Sequence, residues 1–143
     1  MSHREYPVRP IVGVGVLIQR GDRFLLIKRA AKPDKGLWSV PGGLIEVGEK
    51  AVDAARREAL EETCLKVEVK ERLGVVDKIE YDEAGKVLYH FIILQFLAIP
   101  IDGEMKPQDD ALDAVWVTLD QFKDYQLTGS LKRFLDEIGL YPD

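Results

Sequence analysis

The stretch GGLIEVGEKAVDAARREALEETCL, residues 42–65, gathers five glutamates and one aspartate. Its second part predicts a helix over residues 50–63. Within it Val52, Ala55 and Ala59 fall at i, i+3 and i+7, a narrow apolar stripe of mostly small residues that lets a helix lie close against a sheet. Glu58, Glu61 and Glu62 fall at i, i+3 and i+4, where like charges repel by roughly a few tenths of a kcal/mol per pair. At about 100° per residue, Glu62 lies roughly 40° to one side of Glu58 and Glu61 roughly 60° to the other. The three carboxylates therefore share one side, beside the apolar stripe. Arg57 precedes Glu61 by one turn and follows Glu49 by two, so one guanidinium reaches both.

A solvated acidic face would account for the charge alone. It would not account for Pro41-Gly42-Gly43 upstream, or for carboxylates without interleaved lysines. A hard divalent cation such as Mg²⁺ relieves the repulsion, because it takes oxygens from carboxylates, backbone carbonyls and phosphates. The glycines read as a tight turn free of Cβ atoms, with bare carbonyls beside the helix.

Working outward, residues 11–18 form a β-branched apolar strand in which Gly13 and Gly15 admit close approach of other backbone. A turn at residues 20–22 returns the chain along residues 23–28, and a short strand follows over 37–40. Downstream, strands over 67–76 and 87–99 are joined through the turn-rich 82–86. Residues 102–110 are polar loop, and 114–117 form another strand. Leu131, Phe134, Leu135 and Ile138 mark a last amphipathic helix that Thr128 or Ser130 caps. This order predicts an α+β fold, an α/β/α sandwich with a mixed sheet between helices.

Composition narrows the class. The 143 residues are 46% apolar and 31% charged, which suits one globular domain over residues 1–143. A formal charge of −5 excludes a general nucleic-acid binder, which needs a basic face. No apolar run is long enough to span a membrane, and Met1-Ser2-His3-Arg4-Glu5 lacks the apolar segment of a leader. The single Cys64 forms no intrachain disulfide and fits a reducing cytoplasm. Asparagine is absent while charged residues are plentiful, a balance seen in thermophile proteins.

The residues from Gly43 onward resemble the Nudix hydrolase signature, G-x5-E-x7-R-E-U-x-E-E-x-G-U with U bulky and aliphatic. Gly43, Glu49, Arg57, Glu58, Glu61, Glu62 and Leu65 match at the right spacing. The Leu25-Leu26-Ile27-Lys28-Arg29 strand, the Gly36-Leu37-Trp38-Ser39-Val40-Pro41-Gly42 lead-in and Val115-Trp116-Val117 are similar to the family's flanks, so the resemblance covers most of the chain. Ala59 stands where the family has a bulky aliphatic residue, and Cys64 where it has the glycine that ends the helix. A left-handed residue is favoured at that end, where a Cβ costs about 1 kcal/mol.

The resemblance implies a Mg²⁺-dependent (or Mn²⁺-dependent) attack of water on one phosphorus of a diphosphate, as in the MutT-like and ADP-ribose pyrophosphatase members. It implies Glu58 and Glu62 as principal metal ligands, helped by Glu61 and the Gly43 carbonyl, with Glu49 and Arg57 orienting them. Glu61 or Glu58 would accept the proton, or a base from the loop of Asp109 and Asp110. Arg29 is a candidate phosphate ligand, Gly42 and Asp110 are candidate substrate contacts, and Trp38 serves either to stack on a base or to fill the core. His90, in an apolar run, reads as structural.

The substrate implied first is ADP-ribose or a similar nucleoside diphosphate derivative. The alternatives are dinucleoside polyphosphates, nucleoside triphosphates, and a nucleotide-sensing module without catalysis. The ADP-ribose group carries a proline downstream of the motif where this chain has Glu80-Tyr81, and a tyrosine there resembles the dinucleoside-polyphosphate group. Partners would be small nucleotides, with no membrane. Homodimers are common in the family.

Overall fold

The computed structural model describes residues 4–142; Met1, Ser2 and His3, on which part of the leader reading rests, lie outside them. Strands β1 (Ile11–Arg20) and β2 (Arg23–Arg29) form the expected hairpin. They are followed by β3 (Trp38–Ser39), β4 (Gly42–Leu44), α1 (Ala51–Thr63), β5 (Lys66–Tyr81), β6 (Val87–Asp102), β7 (Ala111–Thr118), a 3₁₀ turn over Leu119–Asp124, and α2 (Gly129–Glu137).

The sheet forks at β1. Its first part runs parallel to β6 and antiparallel to β4, and β5 pairs outside β6. At Gln19 and Arg20, β1 passes to β2, which carries β3 on one side and β7 on the other. Alternation along the strands then makes two cores, one on each face. Val14, Val16, Ile18 and Leu25 meet Ala54, Ala55 and Ala59 of α1, together with Phe96 and Ala98. Leu17, Phe24 and Leu26 meet Leu131 and Leu135 of α2 and Phe122 of the 3₁₀ turn. The sandwich with a mixed sheet is therefore the architecture observed.

Three local expectations change. Pro41-Gly42-Gly43 is not a turn: Gly42–Leu44 is a strand, paired to Gly13, Val14 and Gly15 of β1. Here glycine serves proximity, since a Cβ on Gly42 would stand 2.2 Å from the Val14 carbonyl oxygen. Gly13 meets other backbone as expected, with the Gly43 carbonyl oxygen 2.9 Å from the place its Cβ would take, but Gly15 makes room for the Gln95 side chain. The buried face of α1 is Ala54, Ala55 and Ala59 with Glu62 and Thr63, and Val52 is only half-buried at its edge.

One end of each helix matches its expected capping position. Thr128 caps α2, its hydroxyl accepting from the Leu131 N–H at 3.3 Å. Cys64 ends α1 in the left-handed region, at φ 63° and ψ 10°, with its N–H on the Leu60 carbonyl.

Candidate functional site

The C-terminal half of α1 leans over β4, and the absence of side chains on that strand decides what lies there. A Cβ on Gly43 would stand 2.2 Å from Oε2 of Glu58, so the carboxylate rests on bare backbone. One residue back, the Gly42 N–H donates to Oε1 of Glu62 at 2.8 Å. Arg57 organises the rest. Its Nε and Nη2 form a fork on Glu49 at 2.8 and 3.0 Å, Nη1 donates to Glu58 at 2.6 Å and to Glu61 at 3.3 Å, and Nη2 also holds the Leu44 carbonyl at 3.0 Å. One guanidinium thus ties helix, loop and β4 together, reaching both Glu49 and Glu61.

The acidic loop is fastened to the same place. The end of α1 leaves carbonyls without helical partners, and the N–H groups of Lys106 and Gln108 bind those of Thr63 and Glu62, each at 2.8 Å. Asp109 and Asp110 consequently line the same cleft as Glu58, Glu61 and Glu62. Arg29 lines it too, its Nε donating to the Pro33 carbonyl at 2.7 Å.

The electrostatics of this cleft are strained. Glu62 is only 6% exposed. Burial pushes its carboxyl up to about 8, assisted by the charges of Glu58 and Asp110, while the Gly42 N–H and Arg29 pull the other way. Burial also raises Glu58; the Arg57 hydrogen bond and charge oppose this, and the charges of Glu61 and Asp110 add to it. Glu49, by contrast, is held below the usual carboxylate range, chiefly by Arg57.

The donor set fits a hard divalent cation. It is all oxygen, carries excess negative charge, and includes a buried carboxylate with no cation of its own beyond the more distant Arg29. Among the described residues no group of three or more His, Cys, Asp or Glu side chains stands close enough together to hold a metal ion by itself; a cation here would also need backbone, water or phosphate oxygens.

Gly42, Gly43, Glu58, Glu61, Glu62, Arg29 and Asp110 all lie on this cleft. Arg57 stands behind it, bound to Glu58 and Glu61, and Glu49 in turn holds Arg57. Trp38 does not line it; the indole packs edge-on against Tyr125 at 5.1 Å and belongs to the α2-side core. His90 and the exposed Tyr81 are not on its wall either.

The sequence reading missed Gln95 and Lys78, both buried and both lining the cleft. Lys78 is paired with Asp34, reaches Ser130 at 3.3 Å and Glu80 at 3.5 Å. Gln95 had a signal: it is the one polar residue in 91–99, FIILQFLAI.

Comparison with known proteins bears on the family and the fold. The family model described as NUDIX domain matches residues 9–138. An ADP-ribose pyrophosphatase of Methanocaldococcus jannaschii is 39% identical over 112 residues, 78% of this chain; the match spans 64% of that protein, less than two thirds of its length. A MutT NUDIX hydrolase from Burkholderia pseudomallei is similar in structure, with a TM-score of 0.77 and 32% identity, over 90% of this chain and 97% of that one. A bifunctional NMN adenylyltransferase/ADP ribose pyrophosphatase from Francisella tularensis, complexed with AMP and a Mn ion, gives 0.68 and 25%, over 92% of this chain and 42% of that one.

Proposed function

The chain belongs to the Nudix hydrolases, and from that premise we propose that it is a divalent-metal-dependent pyrophosphohydrolase. Its favoured substrate in this reading is ADP-ribose or a close nucleoside diphosphate derivative. The observation that carries the proposal is the pair Glu58 and Glu62: Glu58 is seated on the bare backbone of Gly43 and held by Arg57, and Glu62 is buried on the Gly42 N–H with no ion pair of its own.

Glu58 and Glu62, with Glu61 and the Gly43 carbonyl, would hold Mg²⁺ or Mn²⁺. When bound, the cation supplies charge neutralisation at the diphosphate and acidifies water. The remaining work falls to this chain's own side chains. Arg57 and Glu49 lock the carboxylates in place. Glu61, 46% exposed in its side chain and held only by Arg57 at 3.3 Å and beyond, is the carboxylate we assign to accept the proton of the attacking water. Arg29, which lines the same cleft, contributes positive charge for an anionic substrate. The 39%-identical ADP-ribose pyrophosphatase supports the substrate class, and the position of Tyr81 outside the cleft weighs against the dinucleoside-polyphosphate reading. No helix in the described residues is long and apolar enough to cross a membrane; we place the enzyme in the cytoplasm, as its one cysteine and its nucleotide substrate suggest.

The test is hydrolysis of ADP-ribose, dinucleoside polyphosphates and nucleoside triphosphates with Mg²⁺ or Mn²⁺. Release of AMP from ADP-ribose, abolished by chelator, is expected. Absence of metal-dependent cleavage across the panel would overturn the reading.

A further inference from the structure

Gln95 is 6% exposed, and its side-chain amide has no hydrogen-bond partner among the described residues. No fully enclosed side-chain nitrogen or oxygen there lacks a partner, so the amide atoms still open onto space, and that space is the cleft. Burying an amide unpaired is costly, and the cost vanishes once a partner arrives. A valine or leucine would suit the surrounding apolar run without it.

The register places this amide. Gly15 pairs with Gln95 on one side and with Gly42 on the other, and the Gly42 N–H holds Glu62. The amide is folded over Gly15: a Cβ there would stand 2.3 Å from Oε1 and 2.7 Å from Nε2. It therefore lies about one strand spacing, roughly 5 Å, from the strand that seats the carboxylates. Farther along the same face come Ile93, Phe91 and Lys78, the ammonium already taken by Asp34, Ser130 and Glu80. Of the two polar side chains on this part of β5 and β6, Gln95 is the one still uncommitted.

We propose that Gln95 is a specificity-determining residue that hydrogen-bonds the vicinal hydroxyls of the sugar adjoining the scissile diphosphate. The inference rests on the diphosphate being held by the carboxylates, as above. The chemistry decides between the candidate groups. A carboxamide offers one acceptor and two donors. A phosphate only accepts, and would leave the amide oxygen unpaired. A vicinal diol both donates and accepts, and the sugar is the first unit met on leaving the phosphates.

The experiment compares the wild type with Gln95→Leu and with Gln95→Met, which keeps the side-chain length if leucine disturbs folding. Substrates are ADP-ribose and two analogues in which one or the other ribose is the 2,3-dideoxy sugar. Equilibrium binding of a methylene-bridged, uncleavable ADP-ribose is measured beside kinetics. The wild type is expected to prefer ADP-ribose over one dideoxy analogue by at least 10-fold in kcat/KM. Both variants should lose most of that preference, through KM more than kcat, and bind the uncleavable analogue correspondingly less well. Variants that keep the preference, or that lose activity equally on all three substrates, overturn the proposal. A wild type that neither cleaves nor binds any of these compounds with Mg²⁺ brings down the parent reading as well, and that outcome is recognised without any variant.

Discussion

At the scale of single residues, Cys64 and Glu62 both sit in positions that cost stability, for different reasons. Cys64 holds a left-handed conformation at φ 63°, where its Cβ meets the following carbonyl. Replacing it by glycine removes that clash, and the gain outweighs the greater freedom of the unfolded chain. Cys64→Gly is expected to stabilise the protein by up to about 1 kcal/mol, read as a higher urea midpoint at unchanged m-value; a lower midpoint sinks the strained-cap account. Glu62 is costly because its charge is buried. Glu62→Gln keeps the shape and discards the charge, so two measurements should move in opposite directions. With chelator at about pH 8 the variant should melt higher than the wild type. Its kcat with Mg²⁺ should fall at least about 100-fold, the scale of losing an essential electrostatic group. A variant as active as the wild type would contradict the assignment of Glu62.

Elements explain why those residues can do this. Strand β4 is three residues long, and its two glycines have different neighbours. A methyl on Gly43 meets the mobile end of Glu58, whereas one on Gly42 meets the Val14 carbonyl and Gly15 backbone. Gly43→Ala should therefore leave the urea midpoint nearly unchanged, yet raise the Mg²⁺ concentration for half-maximal activity at least 10-fold by displacing Glu58. Gly42→Ala should cost about 1–3 kcal/mol, because backbone yields less readily than a side chain. Equal effects on stability would refute the distinction. The two glycines also mark where sequence reading stops. Helix α1 and its carboxylates were legible because 3.6-residue periodicity is local. A three-residue strand rich in glycine carries no such period and resembles a turn until β1 is seen beside it. Lys78 escaped for a related reason: its facing depends on how β5 pairs with β6, and that pairing shifts register between Val69 and Glu71 and again between Arg72 and Gly74. Each shift can reverse which side chains point inward.

For the whole molecule, the decisive quantity is the coupling of folding to protons and metal. Glu62, and to a lesser degree Glu58, bind a proton more tightly folded than unfolded. A carboxyl raised in this way favours the fold while protonated. Its contribution is complete below the ordinary carboxylate range, declines as pH rises, and is gone above about 8. Groups lowered in the fold, such as Glu49 and Asp82, act in the opposite sense, but only at more acid pH. Between about pH 5 and 8.5 the metal-free protein should therefore lose stability as pH increases. One titrating group changes ΔG by at most about 1.4 kcal/mol per pH unit, worth about 4 °C in Tm at this chain length. A divalent cation competes with the proton for the same oxygens, so its stabilisation must grow with pH. The expected result is a Tm that falls across this window in chelator, stays nearly level in millimolar Mg²⁺, and falls much less in chelator for Glu62→Gln, where only the smaller contribution of Glu58 remains. The hydrolysis rate should rise over the same interval, since the cation and the proton acceptor both need deprotonated carboxylates. If Mg²⁺ raises Tm by the same amount at pH 5.5 and pH 8.5, the buried carboxylates are not where it binds.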